Sequence, residues 1–264
     1  VPQPYLFEPD AGPLGAPFLV MERLGGGTLF RTSSFPQAFK TFSLGFLGFV
    51  RAQARLHRMG AIAGRSRAYA AEGIAASAPL LDRLLGIIGE RIERGPLPGL
   101  KDAFVRLRDR AGRFRSAPDS VVHMDYHPQN VLVRGMHVTG VIDWVNADCG
   151  DRHLDAATTS VILATSAMEH PRWMRENPIG NVLRATFAAM YLPLYHASMP
   201  MELQRFRYCQ GVAAMMRLSM FGMMRQRGPE AVGFRPEAIA NVTPPVVRLL
   251  SRYASRKTGA PVAI

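Results

Sequence analysis

The segment from Ser120 to Asp143 constrains this chain most, because it changes character to short strands between stretches patterned for helices. Val121-Val122, Val131-Leu132-Val133 and Val138 to Ile142 are short β-branched runs, and Arg134-Gly135-Met136-His137 is a turn between the last two. Between the first two runs lies His123-Met124-Asp125-Tyr126-His127-Pro128-Gln129-Asn130. This loop leaves a strand at His123, re-enters one at Val131 and is stiffened by Pro128.

The flanking sequence is helical in pattern. Phe46, Leu47, Phe49, Val50 and Leu56 stand beside Arg51, Arg55 and Arg58, an amphipathic helical signal. Further helices are predicted over Ala78 to Arg94, Pro98 to Arg113, Ala156 to Met168, Asn181 to Ser198, Glu202 to Arg225 and Pro236 to Ala254, with glycine and proline as punctuation. Near the start, Tyr5 to Glu8 and Pro17 to Met21 make a hairpin at most, and Gly25-Gly26-Gly27 ends that segment. A two-stranded hairpin is rarely stable alone, so these strands want partners.

Composition narrows the class. A chain of 264 residues suits one large domain or two modest ones. No stretch is apolar for long enough to span a membrane, because Arg184 and Pro193 interrupt one candidate and Arg217 another. The formal charge is +12, nearly all from arginine, with lysine only at Lys40, Lys101 and Lys257. Those arginines are scattered over helix faces rather than gathered in a block, which argues against nucleic acid as a partner. Cys149 and Cys209 build neither a disulfide framework nor a CxxC zinc site, and a cytoplasmic protein is the expectation. The sequence begins at Val1 with no signal-peptide pattern and reads as a piece of a longer chain.

Phosphoryl transfer from a nucleotide needs a carboxylate to orient and deprotonate the attacking hydroxyl, and oxygen ligands for magnesium. Asp125 and Asn130 fit those needs on one loop, and the following hairpin returns Asp143 at the end of the apolar strand Val141-Ile142-Asp143. A metal hydrolase using His123, Asp125 and His127 is the rival, but it lacks a downstream ligand cluster and explains neither Asn130 nor Asp143. Asp148, Asp151 and Glu169 are candidates for holding a cationic substrate amine, with solvated surface charge the better reading for Glu169. The cluster Met215, Met216, Met220, Met223 and Met224 reads as core packing before it reads as an adaptable pocket.

The pattern H-x-D-x-x-x-x-N followed by Ile142-Asp143-Trp144 resembles the aminoglycoside phosphotransferase and choline kinase-like family. The likeness continues through Gly150-Asp151-Arg152-His153-Leu154-Asp155, through Phe18 to Arg23, and through Leu56-His57, covering roughly Pro2 to Ala157. It departs at Met124, where the family usually has glycine, and at Arg152, where it usually has proline. The resemblance implies an α+β, protein-kinase-like fold, with residues 1–24 a remnant two-strand small lobe with the hinge and residues 25–264 a mostly helical large lobe. It implies ATP and Mg2+ as cofactors and a hydroxyl-bearing small molecule as acceptor. Asp125 would be the catalytic base, Asn130 and Asp143 the metal ligands, and Glu22, Arg23 and Leu24 the adenine hinge. His123, His127 and Asp155 would support the site.

A protein kinase would need Ala-Pro-Glu after Asp143, where this chain has helices instead. The family's glycine-rich phosphate loop and strand lysine are not encoded before the hinge. The alternative is therefore a catalytically impaired pseudokinase or binding module, with weak ATP affinity expected.

Overall fold

The computed structural model describes residues 1–10, 12–29, 35–60, 73–75, 77–116, 119–165 and 178–264, without the side chains of 35–42, 178–181 and 183. Strand β1 (Pro4–Glu8) pairs antiparallel with β2 (Phe18–Met21) as a separate two-stranded sheet. Tyr5, Leu6 and Phe7 of β1 and Leu19, Val20 and Met21 of β2 are exposed.

The glycine run does not end the strand segment, as the sequence suggested; it opens another. Gly27–Thr28 forms β3, which pairs with β5 (Val131–Arg134), and β5 continues into β6 (His137–Val141). Gly26, at φ +119°, makes this crossing possible, since a Cβ there would lie 2.8 Å from the Val133 carbonyl oxygen. The Thr139 hydroxyl donates to the Gly25 carbonyl at 2.6 Å, fixing the crossing from the other side.

The β5–β6 hairpin carries a register shift between Leu132 and Val133, and its Gly135 adopts φ +61° at the turn. A third sheet pairs β4 (Ser120–Val122) with β7 (Asp148–Gly150). Asp-Cys-Gly carries no strand propensity, so β7 exists because β4 offers it a ladder.

Helix α1 (Phe35–Arg58) buries Phe46, Phe49, Val50, Gln53, Ala54 and His57, an i, i+3, i+4 stripe. Helices α2 (Leu80–Arg94) and α3 (Lys101–Arg110) follow, α3 flanked by 3₁₀ turns at Pro98–Leu100 and Ala111–Arg113. The centre of the molecule is α4 (Arg152–Thr165), which packs on α5 (Pro178–Ser198), on α6 (Leu203–Arg227) and on α7 (Pro244–Thr258). Ala156, Ala157, Thr159 and Ser160 are buried on α4, and such small side chains let neighbouring helices approach closely.

Two helix boundaries differ from the expectations. α4 starts at Arg152, not Ala156, because Asp151 caps it: its carboxylate accepts the His153 N–H at 2.8 Å. Arg152, in the place of the family's proline, uses the N–H a proline would lack to donate to Asp119 at 3.2 Å. The helix expected over Pro236 to Ala254 is divided into a 3₁₀ turn (Pro236–Asn241) and α7, because Thr243 must be extended before Pro244 (ψ 151°). Met168 and Glu169 lie outside the described residues. Among the described residues no helix is long and apolar enough to cross a membrane.

Candidate active site

The loop from His123 to Asn130 is held at both ends and in the middle by hydrogen bonds from three elements. Asp155, on the first turns of α4 and fully buried, accepts the backbone N–H of His123 at 3.1 Å and of Met124 at 2.7 Å. The Tyr126 hydroxyl donates to the Phe49 carbonyl of α1 at 2.7 Å, and the Thr159 hydroxyl of α4 donates to the Tyr126 carbonyl at 2.8 Å. Leu29, at the end of β3, donates its N–H to the Pro128 carbonyl at 3.1 Å.

Asp155 is in turn braced by α1. His57 Nε2 lies 2.8 Å from its carboxylate, Gln53 donates to it at 3.3 Å, and the far ring nitrogen of His57 bonds the Tyr195 hydroxyl. Burial alone would raise the Asp155 carboxyl, but the hydrogen bond and charge of His57, with His123 behind it, hold it below the usual carboxylate range. Gln53 and His57 were not assigned a role from sequence. Their spacing of four on one face of α1 was the available signal.

Within the loop, Met124 sits at φ +61°, the left-handed region that glycine adopts without strain. That conformation accounts for the family's glycine at this place; here the paired N–H to Asp155 holds the methionine in it. Asn130 Nδ2 donates to the Asp125 carbonyl at 3.0 Å and to its carboxylate at 3.3 Å, so the amide nitrogen is committed to Asp125 and the amide oxygen faces away from it.

Asp143 arrives through the backbone. The Ile142 N–H donates to the Asn130 carbonyl at 2.9 Å, and His123 Nε2 donates to the Ile142 carbonyl at 3.0 Å. These two bonds set Asp143 directly after a residue clamped to both ends of the loop. His123 is fully buried, with its ring 4.8 Å from that of Trp144. Asp143 itself is exposed at φ +64°, and its carboxylate has no hydrogen bond or ion pair among the described residues.

His127 Nδ1 accepts the Gln129 N–H at 3.3 Å, which leaves Nε2 as the protonated nitrogen of the neutral ring. Nε2 lies 3.6 Å from the Asp125 carboxylate. Burial pushes the Asp125 carboxyl up, but His127, then the charges of Arg217 on α6 and of His123, outweigh it and hold it below the usual range. The sequence marked Arg217 only as the break in an apolar run and gave it no place in the site; a lone arginine amid methionines on a helix gives no local signal of one.

Asp125, His127 and Arg217 open onto a cavity of about 620 Å³ between α2, α6 and the turns after α6. Met216, Met220, Met223 and Met224 line it, while Met215 is in the core, so the methionine cluster serves both purposes. The suggestion that Asp148 and Asp151 receive a cationic amine fails. Asp148 is buried in an ion pair with Arg83 at 2.8 Å, and Asp151 is buried against His153 at 2.6 Å and Arg205 at 2.9 Å. The hinge candidates stand apart from this cavity: the Glu22 N–H donates to the Gln3 carbonyl at 2.8 Å, Arg23 is exposed, and Leu24 packs over Gly140 of β6.

The donor set suits magnesium. One amide oxygen and one uncommitted carboxylate are hard ligands, and that ion takes few protein ligands, completing its shell with phosphate oxygens and water. No cluster of three His, Cys, Asp or Glu side chains able to hold a metal exists among the described residues.

The phosphotransferase enzyme family profile matches residues 1–200. No curated protein sequence matches the chain. Solved structures share its architecture. A protein of Ralstonia eutropha JMP134, provisionally called an aminoglycoside phosphotransferase, superposes with a TM-score of 0.63 at 16% identity, over 97% of this chain and 78% of that one. The aminoglycoside phosphotransferase APH(4)-Ia gives 0.57 at 15% identity, covering 96% and 76%. Choline kinase LicA from Streptococcus pneumoniae gives 0.56 at 15%, covering 96% and 75%. The fold is thus α+β and kinase-like, with a mostly helical large lobe and a reduced small lobe, and the chain belongs to the phosphotransferase enzyme family.

Proposed function

We propose that this chain transfers the γ-phosphoryl group of ATP to a hydroxyl of a small molecule, with Asp125 as the residue that orients and deprotonates that hydroxyl. The observation carrying this reading is the bond from Asn130 to the Asp125 carboxylate at 3.3 Å, on a loop whose aspartate opens onto the cavity. Asp125 takes the hydroxyl proton as the new oxygen–phosphorus bond forms and the bond to the ADP leaving oxygen breaks. A carboxyl held below its usual range is ionised at neutral pH but weakly basic, which suits a loose transition state where proton transfer comes late and positioning dominates.

The Asn130 amide oxygen and the Asp143 carboxylate would hold Mg2+, which when bound neutralises charge on the phosphates. Glu22, Arg23 and Leu24 would seat the adenine, with residues 1–24 acting as the small-lobe side of the site and residues 25–264 as the large lobe. ATP use is supported by related folds captured with an ATP analogue: the APH(4)-Ia ternary complex holds AMP-PNP and hygromycin B.

The test is ADP release by the full chain with MgATP and a panel of hydroxylated acceptors. Asp125→Ala should lower turnover by roughly 10²–10⁴-fold, the usual contribution of a positioned base. Unchanged turnover would remove Asp125 from the mechanism, and binding of MgATP without any turnover would favour the pseudokinase reading.

A further inference from the structure

The cavity beside Asp125 has a composition that points to its acceptor. Apart from Asp125, its charged walls are Arg91 and Arg94 of α2, Arg217 of α6, and a single carboxylate, Glu90. With Asp125 counted, three guanidinium groups stand against two carboxylates, an excess of one positive charge. Most other wall positions are aliphatic, aromatic or methionine side chains, among them Ile87, Met220 and Phe234. The acidic residues that the sequence offered for a cationic amine, Asp148 and Asp151, face Arg83, His153 and Arg205 and take no part in the lining.

A polycationic acceptor would meet more positive than negative charge here, and like charges in a partly desolvated cleft disfavour one another. An apolar body would meet walls that accommodate it, and methionines adapt to irregular shapes. Arg217 also stacks its guanidinium over Phe221 at 5.6 Å, a placement that fixes its plane at the boundary between apolar wall and Asp125.

We propose that the acceptor is an amphiphile with an apolar body, a hydroxyl and an anionic group such as a carboxylate, the anion being received by Arg91, Arg94 and Arg217. This rests on Asp125 being the site of transfer, as argued above. The hydroxyl is presented to Asp125, and the arginines select against cationic amines.

Calorimetry on the full chain without nucleotide tests it, using three probes of equal chain length: ω-hydroxydodecanoate, dodecanediol and diaminododecane. The carboxylate should bind about ten-fold or more tighter than the diol, the scale of one charge-assisted hydrogen bond, and the diamine should bind weakest. Arg217→Gln should erase most of that preference, and Arg217→Lys should restore part of it. Arg94 is exposed, so Arg94→Gln leaves the core undisturbed, and a reduced preference there reads charge rather than folding. Equal affinity for carboxylate and diol, preference for the diamine, or no binding of any probe would overturn the inference. Adding MgATP separates the two readings. Tight carboxylate binding without phosphoryl transfer to any acceptor would refute the kinase proposal alone, whereas turnover of cationic amino alcohols in place of the carboxylate would refute the acceptor class alone.

Discussion

The carboxylate of Asp155 accepts the backbone N–H of Met124 at 2.7 Å, one residue before Asp125, while His57 bonds the same carboxylate from behind at 2.8 Å. The loop is therefore tied through one buried anion to α4 and α1, the two helices between which it rests. The N–H of His123 reaches that carboxylate too, so removing it strands two backbone donors and one imidazole in the interior.

Asp155→Ala should accordingly cost about 3–5 kcal/mol of stability, the usual effect of removing one partner of a buried charged pair. Urea unfolding of the two proteins checks this. A cost below about 1 kcal/mol, the scale of an ordinary hydrogen bond, would show that the loop is held by other contacts.

Arg83 and Asp148 are a second buried pair, exposed by 3% and 6%. Asp148→Ala alone should destabilise by about 3 kcal/mol or more, since it leaves a guanidinium without this carboxylate. Changing both residues to apolar ones should cost less than the two single changes summed. A double-mutant cycle in denaturant reads the coupling, and strict additivity would refute it.

Acid should weaken the fold in a defined window. Burial favours the neutral Asp151 carboxyl, but His153 and Arg205 overcome it and pull the group down from 3.8 to about 2. The folded value lies below the unfolded one, so the unfolded chain binds protons first, and this stabilisation is complete above about pH 5 and fades toward pH 2. At ~1.4 kcal/mol per unit, Asp151 supplies roughly 2 kcal/mol. Asp155 and Asp125 are shifted the same way and add to the slope. Unfolding free energy measured from neutral pH downward should fall across that window, and Asp151→Asn should flatten the fall.

On the proposed mechanism Asn130→Ala should lower turnover by roughly 10²-fold, because it frees the Asp125 carboxylate and removes the oxygen proposed to hold the metal. Its melting temperature should change little, since among the described residues the side chain bonds within its own loop. Separate measurement of kcat and of the KM for MgATP distinguishes the two causes: a disordered base lowers kcat alone, whereas a lost metal ligand raises the KM as well.

Local pattern made much of the loop legible in the sequence. The β-branched runs around it, Pro128 within it and the hairpin after it place Asp125, Asn130 and Asp143 on connected elements, and in the structure the backbone of Ile142, just before Asp143, bonds Asn130 and His123 of the loop. What escaped were features with no local signature. β3 and β7 are short segments made into strands by their partners, Val131–Arg134 and Ser120–Val122. The division at Pro244 was visible as a proline, but the apolar pattern on either side concealed it.

By itself the sequence determined the loop, its carboxylate and amide, and the helices around them, because spacing of three to eight residues is read directly from backbone geometry. Tertiary structure decided what the other charges do. Asp148 and Asp151 were buried as structural anions, and Arg217 was brought beside Asp125 from more than ninety positions away. Charges separated so far along the chain meet only when helices pack, and burial then sets whether each is a brace for the fold or a group offered to a ligand.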